Sequence, residues 1–192
     1  MNTSGWTFFQ AFLKSPRIVA SMIPSSPFLE RRLARSAHLA AADTVVEIGC
    51  GTGGTTRALL STMRDDSHLL AIERTAEFVA TLRQIDDPRL TVVHGCASNL
   101  VDELKQHRLD AADVVISGIP FSTLPEELAR LIVTEVHRAL RVHGVFVAYQ
   151  FSDRVADYAH PLFGRPGVEL EMRNVPPLRV FTWEKSAASA AA

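Results

Sequence analysis

Val45-Val46-Glu47-Ile48-Gly49-Cys50-Gly51-Thr52-Gly53-Gly54 carries more architectural information than any other segment of the chain. A short β-branched run ends in an acid, breaks into closely spaced glycines, and gives way to a helical pattern from Thr55. Glycine lacks the Cβ that would obstruct a sharp turn or a ligand's approach. A helix opening just after such a loop turns unpaired N–H groups toward that ligand. The segment reads as the first strand–loop–helix of a nucleotide-type binding site.

Two cofactor classes fit that site. Gly49, Gly51 and Gly54 match G-x-G-x-x-G, the dinucleotide fingerprint. Gly49, Gly51 and Gly53 equally match G-x-G-x-G, the loop of class I methyltransferases. Both classes place an acid at the end of the second strand, on the ribose hydroxyls. Leu69-Leu70-Ala71-Ile72-Glu73 supplies it, 24 residues after Gly49, with Arg74 beside it as a further cofactor-binding candidate.

Three observations favour S-adenosylmethionine. Glu47 sits inside the strand before the glycines, where methyltransferases carry an acid near the cofactor's charged amino-acid end. A short-chain dehydrogenase of this size needs Tyr-x-x-x-Lys, and neither Tyr149 nor Tyr158 has a lysine four residues on. The chain also closes with Val168–Met172, a proline turn at Pro176-Pro177, and Leu178–Trp183. These two alternating strands predict a C-terminal antiparallel hairpin, the ending of class I methyltransferase sheets.

At 192 residues the chain fits one domain with a substantial core. No apolar run approaches 18 residues, so no membrane-spanning helix is expected. The N-terminus lacks a signal-peptide pattern, which predicts a cytoplasmic protein. Cys50 and Cys96 are the only cysteines and have no metal-ligand spacing, so no metal is expected. Net charge is −1, but residues 1–35 carry five basic residues against Glu30. A general nucleic-acid surface is therefore not indicated, while a basic N-terminal segment facing an anionic partner stays open.

Along the chain, Trp6, Phe9, Phe12 and Leu13 mark one helical face, and Pro16 interrupts it. A second helix is predicted from Ser26 as N-cap and Pro27, through Phe28, Leu29, Leu33 and Ala37. Core strands are predicted at 44–48, 69–73, 90–94, 112–117 and 144–150, with His143-Gly144 turning into the last. Helices are predicted at 55–63, 75–84, 100–107 and 125–141. Such alternation predicts an α/β, doubly wound, Rossmann-like sheet of seven mostly parallel strands, hairpin included. Residues 1–185 form the expected single domain, with 1–40 a helical segment and 186–192 an Ala/Ser tail.

The fourth strand ends in Ser117-Gly118-Ile119-Pro120-Phe121. Amine methyltransferases carry Asn/Asp-Pro-Pro-Tyr/Phe here, where polar atoms accept from the target nitrogen and an aromatic covers it. Ser117 and Phe121 are candidates for weaker versions of those roles, with Pro120 holding the turn. The same residues also suit a plain strand end. Tyr149 is the candidate for orienting an amine, through its ring face and its hydroxyl. Packing within the sheet explains Tyr149 equally well.

With these residues in view, the chain resembles the bacterial phospholipid N-methyltransferases of the soluble, phosphatidylethanolamine-methylating type. The similarity runs from about Phe8 to Lys185, through Phe8-Phe9, Lys14-Ser15-Pro16, Ile23-Pro24-Ser25-Ser26, Val46–Gly53, Ala71-Ile72-Glu73, Ser117–Pro120 and Val175–Val180. The resemblance implies S-adenosylmethionine as donor and a phospholipid head-group amine as acceptor. It implies that Ser25 and Ser26 border the cofactor, although a helix cap also accounts for Ser26. Cys96 stands where relatives carry Asp for the adenine, which leaves backbone groups at Cys96 and Ala97 to hold the ring.

A lipid acceptor also gives the aromatic and basic N-terminal helix a role in contacting the membrane surface, at the inner face. Two alternatives remain: an rRNA adenine-N6 methyltransferase, which would carry Asn-Leu-Pro-Tyr, and a non-catalytic S-adenosylmethionine-binding protein. Oligomeric state is not legible.

Overall fold

The computed structural model describes residues 28–29, 32–33, 39–174 and 177–187. The N-terminal aromatic helix, Ser25, Ser26 with its cap, and residues 188–192 lie outside the described residues. Phe28, Leu29, Arg32 and Leu33 have the helical backbone expected of them, and Leu29 and Leu33 are fully buried.

Seven strands form one sheet: β1 (Thr44–Ile48), β2 (His68–Glu73), β3 (Leu90–His94), β4 (Ala112–Ser117), β5 (Leu140–Gln150), β6 (Gly167–Glu171) and β7 (Leu178–Glu184). Their order is β3-β2-β1-β4-β5-β7-β6. The first five are mutually parallel, and β7 pairs antiparallel with both β5 and β6. The doubly wound sheet and its closing hairpin are thus as predicted. β1 and β4 are buried at every position, as the runs Val45-Val46 and Val114-Val115-Ile116 require of strands covered on both faces.

Among the described residues, five α-helices with both ends defined cover the sheet: α1 (Gly54–Leu60), α2 (Ala76–Leu82), α3 (Leu100–Gln106), α4 (Glu126–Ala139) and α5 (Arg154–Phe163). Acids in the first turn of α4 and His137 and Arg138 in its last both suit the helix dipole. Its buried Ala129, Ile132, Val133 and Val136 form the apolar stripe that seats it on the sheet. One core joins α3, α4 and α5 to Val46, Val115, Phe146 and Phe181. On the other face, Leu29, Leu33, Leu59 and Leu60 pack over Val45, Leu69, Val114 and Val147.

Two expectations need correction. His143-Gly144 does not turn into the fifth strand, because that strand already begins at Leu140 and α4 already ends at Ala139. His143 takes a left-handed φ of 63° within the strand, and its N–H is held by the Lys185 carbonyl. A register shift between Ala112 and Val114 absorbs the extra length. Helix α5 had no counterpart in the predicted elements. Val155, Tyr158 and Ala159 carry its helical spacing, but Pro161 in the last turn masks the pattern.

Candidate functional site

The chain reverses its progress across the sheet between β1 and β4, so a crevice opens at their carboxyl ends. The Gly118 N–H bonds the Ile48 carbonyl at 3.0 Å, which sets the two loops edge to edge. Gly49, Gly51 and Gly53 have φ of 74°, 55° and 82°, a region open to glycine and strained for most residues. A Cβ on Gly49 would stand 2.8 Å from Ile119 Cγ1, and one on Gly118 would stand 2.6 Å from the Gly49 carbonyl oxygen. Both loops therefore need a bare backbone where they meet.

Glu73 fastens this loop to the end of β2. Its Oε2 accepts from Gly51 N–H at 3.0 Å, and its Oε1 accepts from Arg74 and Thr75 N–H at 2.9 and 2.8 Å. Two carboxylate oxygens offer about four acceptor positions, so capacity remains for hydroxyls of a ligand. Glu47 lies at the end of β1, fully buried beneath the loop. Thr56 donates to its Oε2 at 2.6 Å, while Oε1 has no partner among the described residues. Burial pushes its carboxyl up to about 7, with the hydrogen bond from Thr56 opposing and the charge of Glu73 adding. Cys50 is likewise buried, which pushes its thiol up and leaves it an inert filler.

A cavity of about 520 Å³ occupies the crevice, within the range of small-molecule sites. Gly49, Gly51, Glu73, Arg74, Cys96, Ala97, Pro120 and Tyr149 all line it, so the structure brings these candidates together. Gly53, Glu47, Ser117 and Phe121 stand behind its wall. Ser117 is buried, and its Oγ accepts from Ile119 N–H at 3.2 Å, closing the turn from within. Phe121 is also buried, with its ring 6.4 Å from that of Tyr158. Neither side chain faces the cavity as the sequence reading expected of an acceptor contact. The Tyr149 hydroxyl lies 3.4 Å from Thr55 Oγ1, at the junction of the two loops.

Gln150 was not among the predicted residues. It lines the cavity, and its side-chain Nε2 donates to the Ile119 carbonyl. Its Oε1 accepts from Phe121 N–H at 3.3 Å. One buried amide thus grips the backbone on both sides of Pro120. Nothing in a strand sequence marks such a residue, because its partners come from another strand's loop. Phe78 and Thr75 were also missed, although their place just after the acid of β2 was the available signal.

These residues fit the S-adenosylmethionine expected from the sequence. Glu73 keeps acceptor capacity where a ribose would lie, beside a bare glycine backbone. The unpartnered Glu47 oxygen puts an uncompensated carboxyl under the loop, suited to a cationic amino end. Ile72, Phe78 and Ala97 provide an apolar wall for a base.

Comparison with known proteins agrees. A family model described as a methyltransferase domain matches residues 45–144. An ornithine lipid N-methyltransferase from Singulisphaera acidiphila is 32% identical over 180 residues, covering 88% of this chain and 90% of that protein. Ribosomal RNA small subunit methyltransferase A from Caulobacter vibrioides is 37% identical over 98 residues, covering 48% of this chain and 34% of that protein. Among solved structures, TrmN from Thermus thermophilus superposes with a TM-score of 0.70 at 17% identity, covering 89% of this chain and 53% of that one. The N-methyltransferase NodS from Bradyrhizobium japonicum, in complex with S-adenosyl-L-homocysteine, gives a TM-score of 0.63 at 11% identity, covering 84% and 89%.

Proposed function

The chain belongs to the methyltransferase domain family as an S-adenosylmethionine-dependent N-methyltransferase, and we propose that its acceptor is the head-group amine of a membrane lipid. What carries this acceptor is the reach of one similarity: the match to the ornithine lipid N-methyltransferase spans 90% of that protein. The match to the ribosomal RNA enzyme covers 48% of this chain and 34% of that protein. Phosphatidylethanolamine is the phospholipid that the sequence resemblance favours. An ornithine lipid, also open from the sequence, is the acceptor that the relative's name favours. Both present a primary amine.

S-adenosylmethionine, when bound, supplies a methyl group on a sulfonium, open to in-line attack. The protein's task is to hold nucleophile and methyl in near-attack geometry and to keep water away. In this reading Glu73 holds the ribose, and Glu47 sits under the loop as counter-charge for the amino end. Cys96 and Ala97 border the adenine by their backbone. Ile119 and Pro120 present the acceptor's berth, with the Ile119 carbonyl aligned by Gln150. The Tyr149 ring and hydroxyl orient the amine beside it. Ser117 and Phe121 act from behind the wall by fixing the turn. No histidine is among the described residues of the cavity wall.

The test is expression of the chain in a bacterium that makes phosphatidylethanolamine and ornithine lipids, followed by lipid mass spectrometry. Gains of one or more methylene units in one lipid class are expected, and Glu73→Ala should abolish them. Unchanged lipids beside a newly methylated RNA or soluble amine would overturn the lipid acceptor. Cofactor binding with no methyl transfer to any acceptor would favour a non-catalytic role.

A further inference from the structure

We propose that the face of the β6–β7 hairpin bearing Val168, Leu170 and Met172 is a docking surface for an anionic lipid membrane. The inference rests on the lipid-acceptor reading and gives that reading a direction of approach.

β6 is the edge strand of the sheet, and its side chains divide cleanly between two faces. Glu169 and Glu171 stand opposite Val180 and Leu178, and both form ion pairs with Arg32. Glu171 is drawn further, to about 2, chiefly by hydrogen bonding to Arg173. The other face carries Val168 and Leu170 in the strand and Met172 just beyond it, 53%, 53% and 63% exposed. Val168 lies opposite Phe181, which α5 helps bury in the core. The apolar face of the sheet therefore continues past its helical cover onto the edge strand. An edge strand normally carries charge at such positions to discourage association. Three apolar side chains in alternate positions are a departure that a partner surface explains.

Position and charge point to lipid as that partner. β6 runs parallel to β5, so Met172 lies at the carboxyl edge of the sheet, the side on which the cavity opens. Leu178, paired with Glu171, lines that cavity together with Leu29 and Phe151. The apolar stripe thus starts about 10 Å from β5, two strand spacings away. Exposed arginines border it. Arg179 is directly opposite Leu170 and Arg165 precedes the strand, while Arg173, after Met172, is ion-paired with Glu171 on the other face. Apolar side chains entering the acyl boundary, with arginines at phosphate level, are the arrangement of an interfacial segment. Docked this way, the mouth of the cavity meets the head groups.

The test is co-sedimentation of the full chain with phosphatidylglycerol vesicles and with phosphatidylcholine vesicles, at low and high salt. A Leu170→Asp/Met172→Asp variant runs beside the wild type. Affinity for anionic vesicles should exceed that for neutral ones and fall with salt. The variant should lose about tenfold or more, from the apolar contact forgone. Its unfolding midpoint and its affinity for S-adenosylhomocysteine, measured in parallel, report that the fold is intact. An Arg165→Gln variant should lose about fivefold on anionic vesicles alone.

Equal sedimentation of the wild type and the double variant would overturn the proposal, as would no vesicle binding by the wild type. A wild-type dimer that the double variant splits into monomers would also overturn it, assigning the stripe to a second copy of the chain. Sedimentation needs no turnover. A wild type that docks through this face yet methylates no lipid refutes the acceptor reading alone.

Discussion

The side-chain amide of Gln150 donates to the carbonyl of Ile119, tying the end of β5 to the loop that follows β4. Its oxygen is engaged by Phe121 N–H, so the amide orientation is set by both partners. The carbonyl of a loop without regular structure is thereby held at one angle beside the glycine turn.

Replacing Gln150 by alanine should release the Ile119–Pro120 backbone while leaving the cofactor half of the cavity in place. The expected outcome is a fall in kcat of about 100-fold, the scale of a 1 Å misplacement of a reacting group. Affinity for S-adenosylhomocysteine, read by calorimetry, should stay within about twofold. Gln150→Glu should rescue little, because a carboxylate cannot donate to the Ile119 carbonyl. An equal loss in both quantities would mean that the residue merely supports the fold.

Glu73→Ala should remove the anchor of Gly51 in the glycine loop and those of Arg74 and Thr75 after β2, together with the ribose acceptor. Hydrogen bonds to a charged group contribute about 1.5–3 kcal/mol each. Losing one or two of them on the cofactor alone weakens binding by about 100-fold. Glu73→Gln should recover little, since an NH2 group stands where N–H donors need an acceptor. Calorimetry with S-adenosylhomocysteine checks both variants.

Glu47 makes stability depend on pH in an unusual direction. Its carboxyl is raised from 4.5 to about 7 in the folded protein, so the folded state holds the proton more tightly than the unfolded chain. Stability from this group is therefore full below about pH 4.5 and is lost as pH rises through about 7. Glu47→Gln mimics the protonated form and should match the wild type at pH 4.5. Above pH 7 it should be more stable by about 3 kcal/mol in ligand-free protein. Urea unfolding of the pair across this window reads the difference, and a constant difference would refute the assignment.

Lys185 follows β7 directly, with its ammonium turned inward. Its Nζ donates to the carbonyls of His137 and Leu140 at 2.8 and 2.7 Å, satisfying the C-terminal end of α4. Burial lowers its pKa. Lys185→Met should remove both hydrogen bonds and cost about 3 kcal/mol of stability. A loss under about 1 kcal/mol by urea unfolding would show that water replaces the ammonium.

How much of this was legible in sequence follows the physics of each part. β1, β2 and β4 are local apolar runs bounded by turn residues, so Val45–Ile48 and Leu69–Glu73 could be read directly. Glu73 was recoverable because a strand end fixes where its last side chain points. The direction of Ser117 and Phe121 was not, because it depends on how the loop closes against Gln150, 29 residues after Phe121. Helix α5 was hidden by one proline, and the length of β5 by a histidine of left-handed φ within the strand. The exposed face of β6 was visible as alternation, yet which side α5 covers depends on the whole sheet.

The most direct test of the central claim uses purified protein, S-adenosylmethionine labelled in its methyl group, and vesicles of phosphatidylethanolamine or ornithine lipid. The account predicts label in the organic phase, on the lipid amine, and none with Glu73→Ala. Label that stays in the aqueous phase with both lipids, while the protein still binds S-adenosylhomocysteine, would contradict it.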